Sequence, residues 1–246
     1  MPGPVLITGG AKRLGAAIAR ALAAAGHPIV IHAHTSAADA AALAAELNAA
    51  TVFGDLADPA TPARLIAEAV QKSGPLFGLV NNASRFVFDN PLTATAAAIA
   101  AHIAPNLTAP VLLAQAFAAA RTLPAGVIVN ILDQKLTNLN PDFFSYTLSK
   151  AALAAAGEML AMALAPEIRV CGVAPGIALP GPNQSEQKFA AAWRANPLKR
   201  GATPEDIARA VLFILQTPSI TGTTITVDGG EHLLHRARDV AFLSGE

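Results

Sequence analysis

The stretch Val5-Leu6-Ile7-Thr8-Gly9-Gly10-Ala11-Lys12-Arg13-Leu14-Gly15, with the Ala-rich run 16–25 behind it, decides the fold. Three apolar residues read as a buried strand, the glycines as a tight turn, and the following run as a helix packed back on that strand. Such a turn lets the backbone approach a diphosphate, whose charge then lies at the helix N-terminus. Working outward, short β-branched runs recur at 5–8, 29–34, 51–53, 76–81, 127–132, 168–174 and 224–227, with Ala/Leu-rich segments between them. A parallel crossover needs about a dozen residues, and a strand covered on both faces is continuously apolar. The alternation therefore predicts an α/β fold: a doubly wound parallel sheet of about seven strands with helices on both faces.

Composition narrows the function classes. With 53% hydrophobic and 14% charged residues, the 246-residue chain is expected to bury a large core as one domain spanning 1–246, which excludes a disordered protein. Lys and Arg number 17 against 17 Asp and Glu, and this neutrality argues against nucleic-acid or anionic membrane partners. Cys171 stands alone and reads as a buried strand residue. The chain opens Met1-Pro2-Gly3-Pro4 straight into the first strand without a leader pattern, so a cytoplasmic protein is expected. Residues 90–120 carry no formal charge, yet Pro91, His102, Pro105, Asn106, Pro110 and Gln115 interrupt a mostly Ala stretch. Two helices of a soluble fold, broken near Pro105, are expected there rather than a membrane span. Segment 177–200, with Pro180-Gly181-Pro182, Trp193 and Pro197, has no clear periodicity and reads as a lid or substrate loop.

Several residues carry chemistry in their own right. Lys12 and Arg13 put positive charge where phosphates would lie, although cations oppose the dipole at a helix N-terminus, which favours a ligand-binding role for them. The second strand ends His32-Ala33-His34-Thr35-Ser36 and lacks the acid that takes a ribose 2′-OH, so NADPH is expected over NADH, with His34, Ser36 and Arg13 as donors. Tyr146-Thr147-Leu148-Ser149-Lys150 places a phenol and an ammonium one helical turn apart, a pairing expected to lower the phenol's pKa. Tyr146 is the chain's only tyrosine and follows Asp133, at the end of the fifth strand, by thirteen positions. No spacing suggests a metal; His32 and His34 alternate on a strand without supporting ligands.

In this order the motifs resemble the short-chain dehydrogenase/reductase family, whose usual turn is Thr-Gly-x-x-x-Gly-x-Gly. Here Arg13 replaces the middle glycine, and Thr-Gly-Gly-Ala-Lys-Arg-Leu-Gly looks like the pteridine reductase branch. The resemblance runs from Thr8 to Gly230 and implies a Rossmann-like fold. It implies that Gly9, Lys12, Arg13, Leu14 and Gly15 hold the cofactor diphosphate, and that His34, Thr35 and Ser36 receive the 2′-phosphate, Thr35 standing where the branch usually has Arg. Asp55 and Leu56 would meet adenine, while Asn82, Ala83 and Ser84, then Pro175, Gly176 and Ile177, would flank the rest of the cofactor. Asn106, Asp133, Tyr146 and Lys150 would be catalytic, with Asn106 holding a relay water. Arg13, Ser84, Phe86, Tyr146 and Trp193 would face substrate, Phe86 stacking it against nicotinamide and Trp193 either lining the site or packing the lid. Relatives are commonly homotetramers.

Most members carry Ser where Asp133 stands. A hydroxyl donates to a ketone oxygen, whereas an ionised carboxylate only accepts and repels a developing alkoxide. The reading is an NADPH-dependent reductase of a pterin-like substrate, dihydropterin or dihydrofolate. A protonated Asp133 would reopen the alternative of a carbonyl or 3-ketoacyl reductase, and a non-catalytic NADP-binding regulator is the alternative from another class.

Overall fold

Every apolar run becomes a strand of one sheet in the computed structural model, which describes residues 3–181 and 185–242. Met1, Pro2 and Pro182 lie outside the described residues. The order is β1 Val5–Ile7, α1 Arg13–Ala24, β2 Ile29–Ala33, α2 Ala37–Leu47, β3 Ala50–Phe53, α3 Thr61–Ser73, β4 Gly78–Asn81, α4 Ala96–Ile103, α5 Ala109–Ala119, β5 Gly126–Ile131, α6 Phe144–Leu164, β6 Ile168–Pro175, α7 Glu186–Trp193, α8 Pro204–Gln216 and β7 Thr224–Val227. All strands pair in parallel, in the order β3-β2-β1-β4-β5-β6-β7.

Side-chain alternation along the strands builds two cores, one on each face. Val5, Ile7, Ile31, Val129 and Val173 pack with α1 and α8 through Ile18, Leu22, Ile207 and Ile214. Leu6, Val30, Leu79 and Ile128 pack on the other face with Leu65 and Ile66 of α3 and Leu113 of α5. Each fully buried Leu or Ile contributes about 2 kcal/mol. Since β1 neighbours both β2 and β4, the strand order reverses there, and a crevice opens beyond the C-terminal ends of those strands. The Gly9–Gly15 turn lies at that point.

Two expectations need correction. The helix over 96–119 is not broken at Pro105: α4 runs into a π-helical turn, Ala104–Thr108, and on into α5. Pro105 has no N–H to donate, and the wider turn absorbs this, with Ala109 N–H bonding the Ala104 carbonyl. Segment 177–200 is not all loop, because α7 lies within it, started by Ser185 Oγ accepting from Lys188 N at 3.3 Å. Eight residues make only two turns, too few for periodicity to stand out.

Candidate active site

Thr8, directly after β1, ties the turn to the end of β4. Its Oγ1 accepts from the N–H groups of Asn82 and Ala83 at 2.9 and 3.0 Å, while Asn82 Nδ2 donates to the Thr8 and Gly9 carbonyls. Gly9 has φ +59°, and a Cβ on Gly15 would lie 2.2 Å from the Gly9 oxygen and 2.7 Å from Asn82 Nδ2. Arg13 adopts φ +51° where the family's usual turn has glycine. No side chain caps α1 and no acid occupies its first turn, so its N-terminal dipole is free to meet an anion. A close backbone turn, with glycine where a side chain would clash, below an uncapped helix fits a diphosphate.

The flanking cations are already directed. Lys12 Nζ is 2.8 Å from Asp39 Oδ2 on α2, and the Arg13 guanidinium donates to the Pro180 carbonyl at 2.7 Å, linking turn and lid segment. Beyond β2, His34 Nδ1 is 3.9 Å from Asp55 Oδ1, which accepts from Ala57 N. Ser36 is the N-cap of α2 but leaves its hydroxyl unused in capping, next to Thr35. Leu56 is buried in the second core. His32 belongs to the turn itself: Nδ1 accepts from Gly9 N and Nε2 bonds the Gly54 carbonyl, with burial pushing its pKa down.

At the other side of the crevice, α6 presents Tyr146 and Lys150 on one buried face. Asp89 starts this helix, its Oδ1 accepting from Ser145 N at 2.9 Å. Tyr146 O–H donates to Asp133 Oδ2 at 2.8 Å, and Asp133 Oδ1 accepts from Lys135 N at the head of the 3-10 turn Gln134–Thr137. Lys150 Nζ donates to the Ile131 carbonyl at 2.6 Å and lies 5.9 Å from the Tyr146 ring centre. The expected lowering of the phenol's pKa does not occur. Burial disfavours phenolate, the neighbouring Asp133 charge repels it, and together they hold Tyr146 well above its usual value. Burial also raises Asp133 and brings the Lys150 ammonium down to about 8. The result is a hydrogen-bonded pair in which the phenol keeps its proton and both Asp133 oxygens accept.

Asn106, fully buried on the π turn, stitches the site together. Its Oδ1 accepts from Arg85 N at 2.7 Å and Ser84 Oγ at 3.2 Å, and its Nδ2 donates to the Arg85 carbonyl and Ser149 Oγ. Both lone-pair sites and both N–H bonds are taken, so the side chain has no capacity left for the expected relay water. Ser149 extends the link by donating to the Tyr146 carbonyl at 2.6 Å. Phe86 stacks on Phe143 at 4.3 Å and meets Tyr146 edge-on at 4.6 Å, and it remains 49% exposed. Trp193 donates its indole N–H to the Ala202 carbonyl at 2.9 Å and packs on Gly201, which anchors α7. Gly176, between Pro175 and Ile177, donates to the Val227 carbonyl. Sequence reasoning missed Ser149 and Phe143 as site members; Ser149 lay in view inside the Tyr-x-x-x-Lys spacing.

The family model described as enoyl-(acyl carrier protein) reductase matches residues 9–232. Pteridine reductase 1 of Leishmania tarentolae is 34% identical over 93% of this chain and 96% of its own length. A putative ketoacyl reductase 2 of granaticin polyketide synthase, from Streptomyces violaceoruber, is 31% identical over 93% and 96%. Among solved structures, FolM alternative dihydrofolate reductase 1 from Brucella suis, in complex with NADP, superposes with a TM-score of 0.90 at 40% identity, covering 95% of this chain and 96% of that one.

Proposed function

The chain belongs to the short-chain dehydrogenase/reductase family, and on that basis we propose that it is an NADPH-dependent reductase of a pterin-like substrate, dihydropterin or dihydrofolate. The observation that carries this reading is the Asp133–Tyr146 bond of 2.8 Å, an acid pair where ketone reduction calls for a hydroxyl donor. The FolM and pteridine reductase relatives support it.

In this mechanism the N-terminus of α1, with Gly9, Leu14 and Gly15, holds the NADPH diphosphate. Lys12, His34, Thr35 and Ser36 surround the 2′-phosphate, and no acid stands directly after β2 to take a ribose 2′-OH in its place. Asp55 and Leu56 border the adenine, Asn82, Ala83 and Ser84 support the middle of the cofactor, and Pro175, Gly176 and Ile177 border the nicotinamide. Bound there, NADPH would supply the hydride for a ring carbon of the substrate. Tyr146 gives its proton to the adjacent ring nitrogen, and Asp133 restores that proton through their hydrogen bond. Lys150 holds the cofactor ribose. Phe86 offers its exposed ring for stacking, and Arg13 closes over the substrate from the turn.

One observation favours a second reading. Burial raises Asp133 toward its protonated form, which donates to a carbonyl oxygen as a serine would, so a carbonyl or ketoacyl reductase is the competitor. Following NADPH oxidation with dihydropterin, dihydrofolate and a panel of ketones separates the two: turnover with the dihydro heterocycles is expected, and turnover with ketones alone would remove the pterin assignment. Tight NADPH binding without any turnover would instead favour a regulator.

Assembly belongs to the same proposal. Residues 96–119 and α6 are long and apolar enough to cross a membrane by length and composition, yet they carry the buried Asn106, Ser149 and Lys150 of the site. Leu148, Met159 and Met162 project from α6 at helical spacing and are 42%, 59% and 74% exposed. Helix faces of this kind suit packing between subunits of a homotetramer. Light scattering is expected to give four times the chain mass, and a monomeric mass would contradict the assembly.

A further inference from the structure

Segment 82–88, which carries Phe86, belongs to no helix or strand. Its backbone is held by side chains instead. Ala83 N donates to Thr8 Oγ1 at 3.0 Å, Arg85 N to Asn106 Oδ1 at 2.7 Å, and Val87 N to His102 Nε2 at 3.3 Å. These are alternate residues, and a period of two is that of an extended chain bonded along one edge. Three side chains stand in for the neighbouring strand. Residues two apart in an extended chain share a face, and Phe86 and Phe88 accordingly both meet Phe143, Phe86 stacked at 4.3 Å and Phe88 edge-on at 5.3 Å.

Two of these three anchors already have a place in the site: Thr8 ties the Gly9–Gly15 turn to β4, and Asn106 joins Arg85 to Ser149. His102 is the third. It is 2% exposed in the last turn of α4, four residues before Asn106, and the two side chains grip the same segment. A backbone N–H only donates, so the Nε2 facing Val87 carries a lone pair and the ring proton sits on Nδ1, which donates to the Ala98 carbonyl at 2.8 Å. Both nitrogens of a neutral imidazole are thereby used. The one not tied to its own helix holds the N–H between Phe86 and Phe88, and among the described residues this is the only backbone hydrogen bond made by residues 86–88.

We propose that His102 is a positioning residue for substrate binding: by holding the Val87 N–H it fixes the extended segment and aims the Phe86 ring at a flat heteroaromatic substrate. That ligand class rests on the reductase reading above. Phe86, Val87 and Phe88 are 49%, 46% and 46% exposed, so burial of their own side chains does little to fix the segment. Without His102 the chain would be unanchored between Arg85, held by Asn106, and Asp89, held to Ser145. Tyr146, Asp133 and Lys150 would keep their own bonds. The effect therefore falls on substrate binding rather than on proton transfer.

His102→Leu removes the acceptor while keeping a good helix former, and His102→Gln puts an amide oxygen within reach of the same N–H. Two readouts apply: hydrogen exchange of the Val87 amide in the protein with NADP bound, and KM with kcat for dihydropterin reduction. His102→Leu is expected to speed Val87 exchange by about tenfold or more while Arg85 exchange stays as in wild type. It should raise KM about tenfold with kcat within about twofold of wild type. His102→Gln should restore both. Unchanged Val87 exchange, faster exchange with an unmoved KM, or a fall in kcat that His102→Gln does not rescue, as a packing defect gives, would each overturn the proposal. If no form of the protein turns over dihydropterin, the substrate reading fails separately, and crystals of the NADP complexes decide the role of His102. A Phe86–Phe143 stack lost in His102→Leu and regained in His102→Gln supports it, and a stack intact in both overturns it.

Discussion

Tyr146→Phe is expected to lower kcat for dihydropterin reduction by about a thousandfold while leaving NADPH affinity within about twofold of wild type. The hydroxyl makes one hydrogen bond, to Asp133 Oδ2, whereas the ring is held by the edge contact with Phe86 and by the packing of α6. Phenylalanine retains the ring and loses only the proton. The proton is also the part least replaceable from solvent, because Tyr146 is 7% exposed and burial holds the phenol in its protonated form. Lys150, bonded to the Ile131 carbonyl rather than to the phenol, stays in place to hold the ribose. Steady-state kinetics with fluorescence titration of NADPH checks both halves of the expectation. Residual activity within tenfold of wild type would mean that Asp133 protonates the substrate directly, and a parallel loss of NADPH affinity would make Tyr146 a binding group instead.

The parts of this site legible in the sequence are those fixed by local spacing. The seven strands announce themselves by continuous apolar runs, and all seven fall in the sheet within two residues of where the runs begin and end. Gly9 and Gly15 are legible because a close backbone turn tolerates no side chain, and Tyr146 and Lys150 because four residues make one helical turn. What escaped depends on contacts made across the fold. The pKa of Tyr146 is set by burial and by Asp133, so a rule based on Lys150 alone gave the wrong direction. The saturation of the Asn106 side chain is invisible to spacing, because its four hydrogen-bond partners sit on residues 84, 85 and 149. Pro105 read as a helix break because sequence shows the missing N–H but not the wider turn that accommodates it.

The sharpest test of the cofactor cradle compares two glycines that an extra methyl would treat in opposite ways. At Gly15 the new Cβ would stand 2.2 Å from the Gly9 oxygen and 2.9 Å from Gly10 Cα. Both are backbone atoms, and the same turn is pinned to β4 by Thr8 and Asn82, so no side chain can rotate away to relieve the clash. Gly15→Ala must therefore open the turn, at a cost of about 3 kcal/mol in stability. Opening it also separates the α1 N-terminus from the phosphate position, and NADPH affinity is expected to fall by about a hundredfold or more. Gly157 lies in the middle of α6, where a Cβ would meet only Asn130 Nδ2 at 3.4 Å, an ordinary contact. There helix propensity decides, and Gly157→Ala should gain about 0.5–1 kcal/mol with NADPH affinity unchanged. Thermal unfolding and nucleotide titration of both variants give the comparison. Equal behaviour of the two would mean that the Gly9–Gly15 turn yields under a methyl group, and that a close backbone approach is not what holds the cofactor.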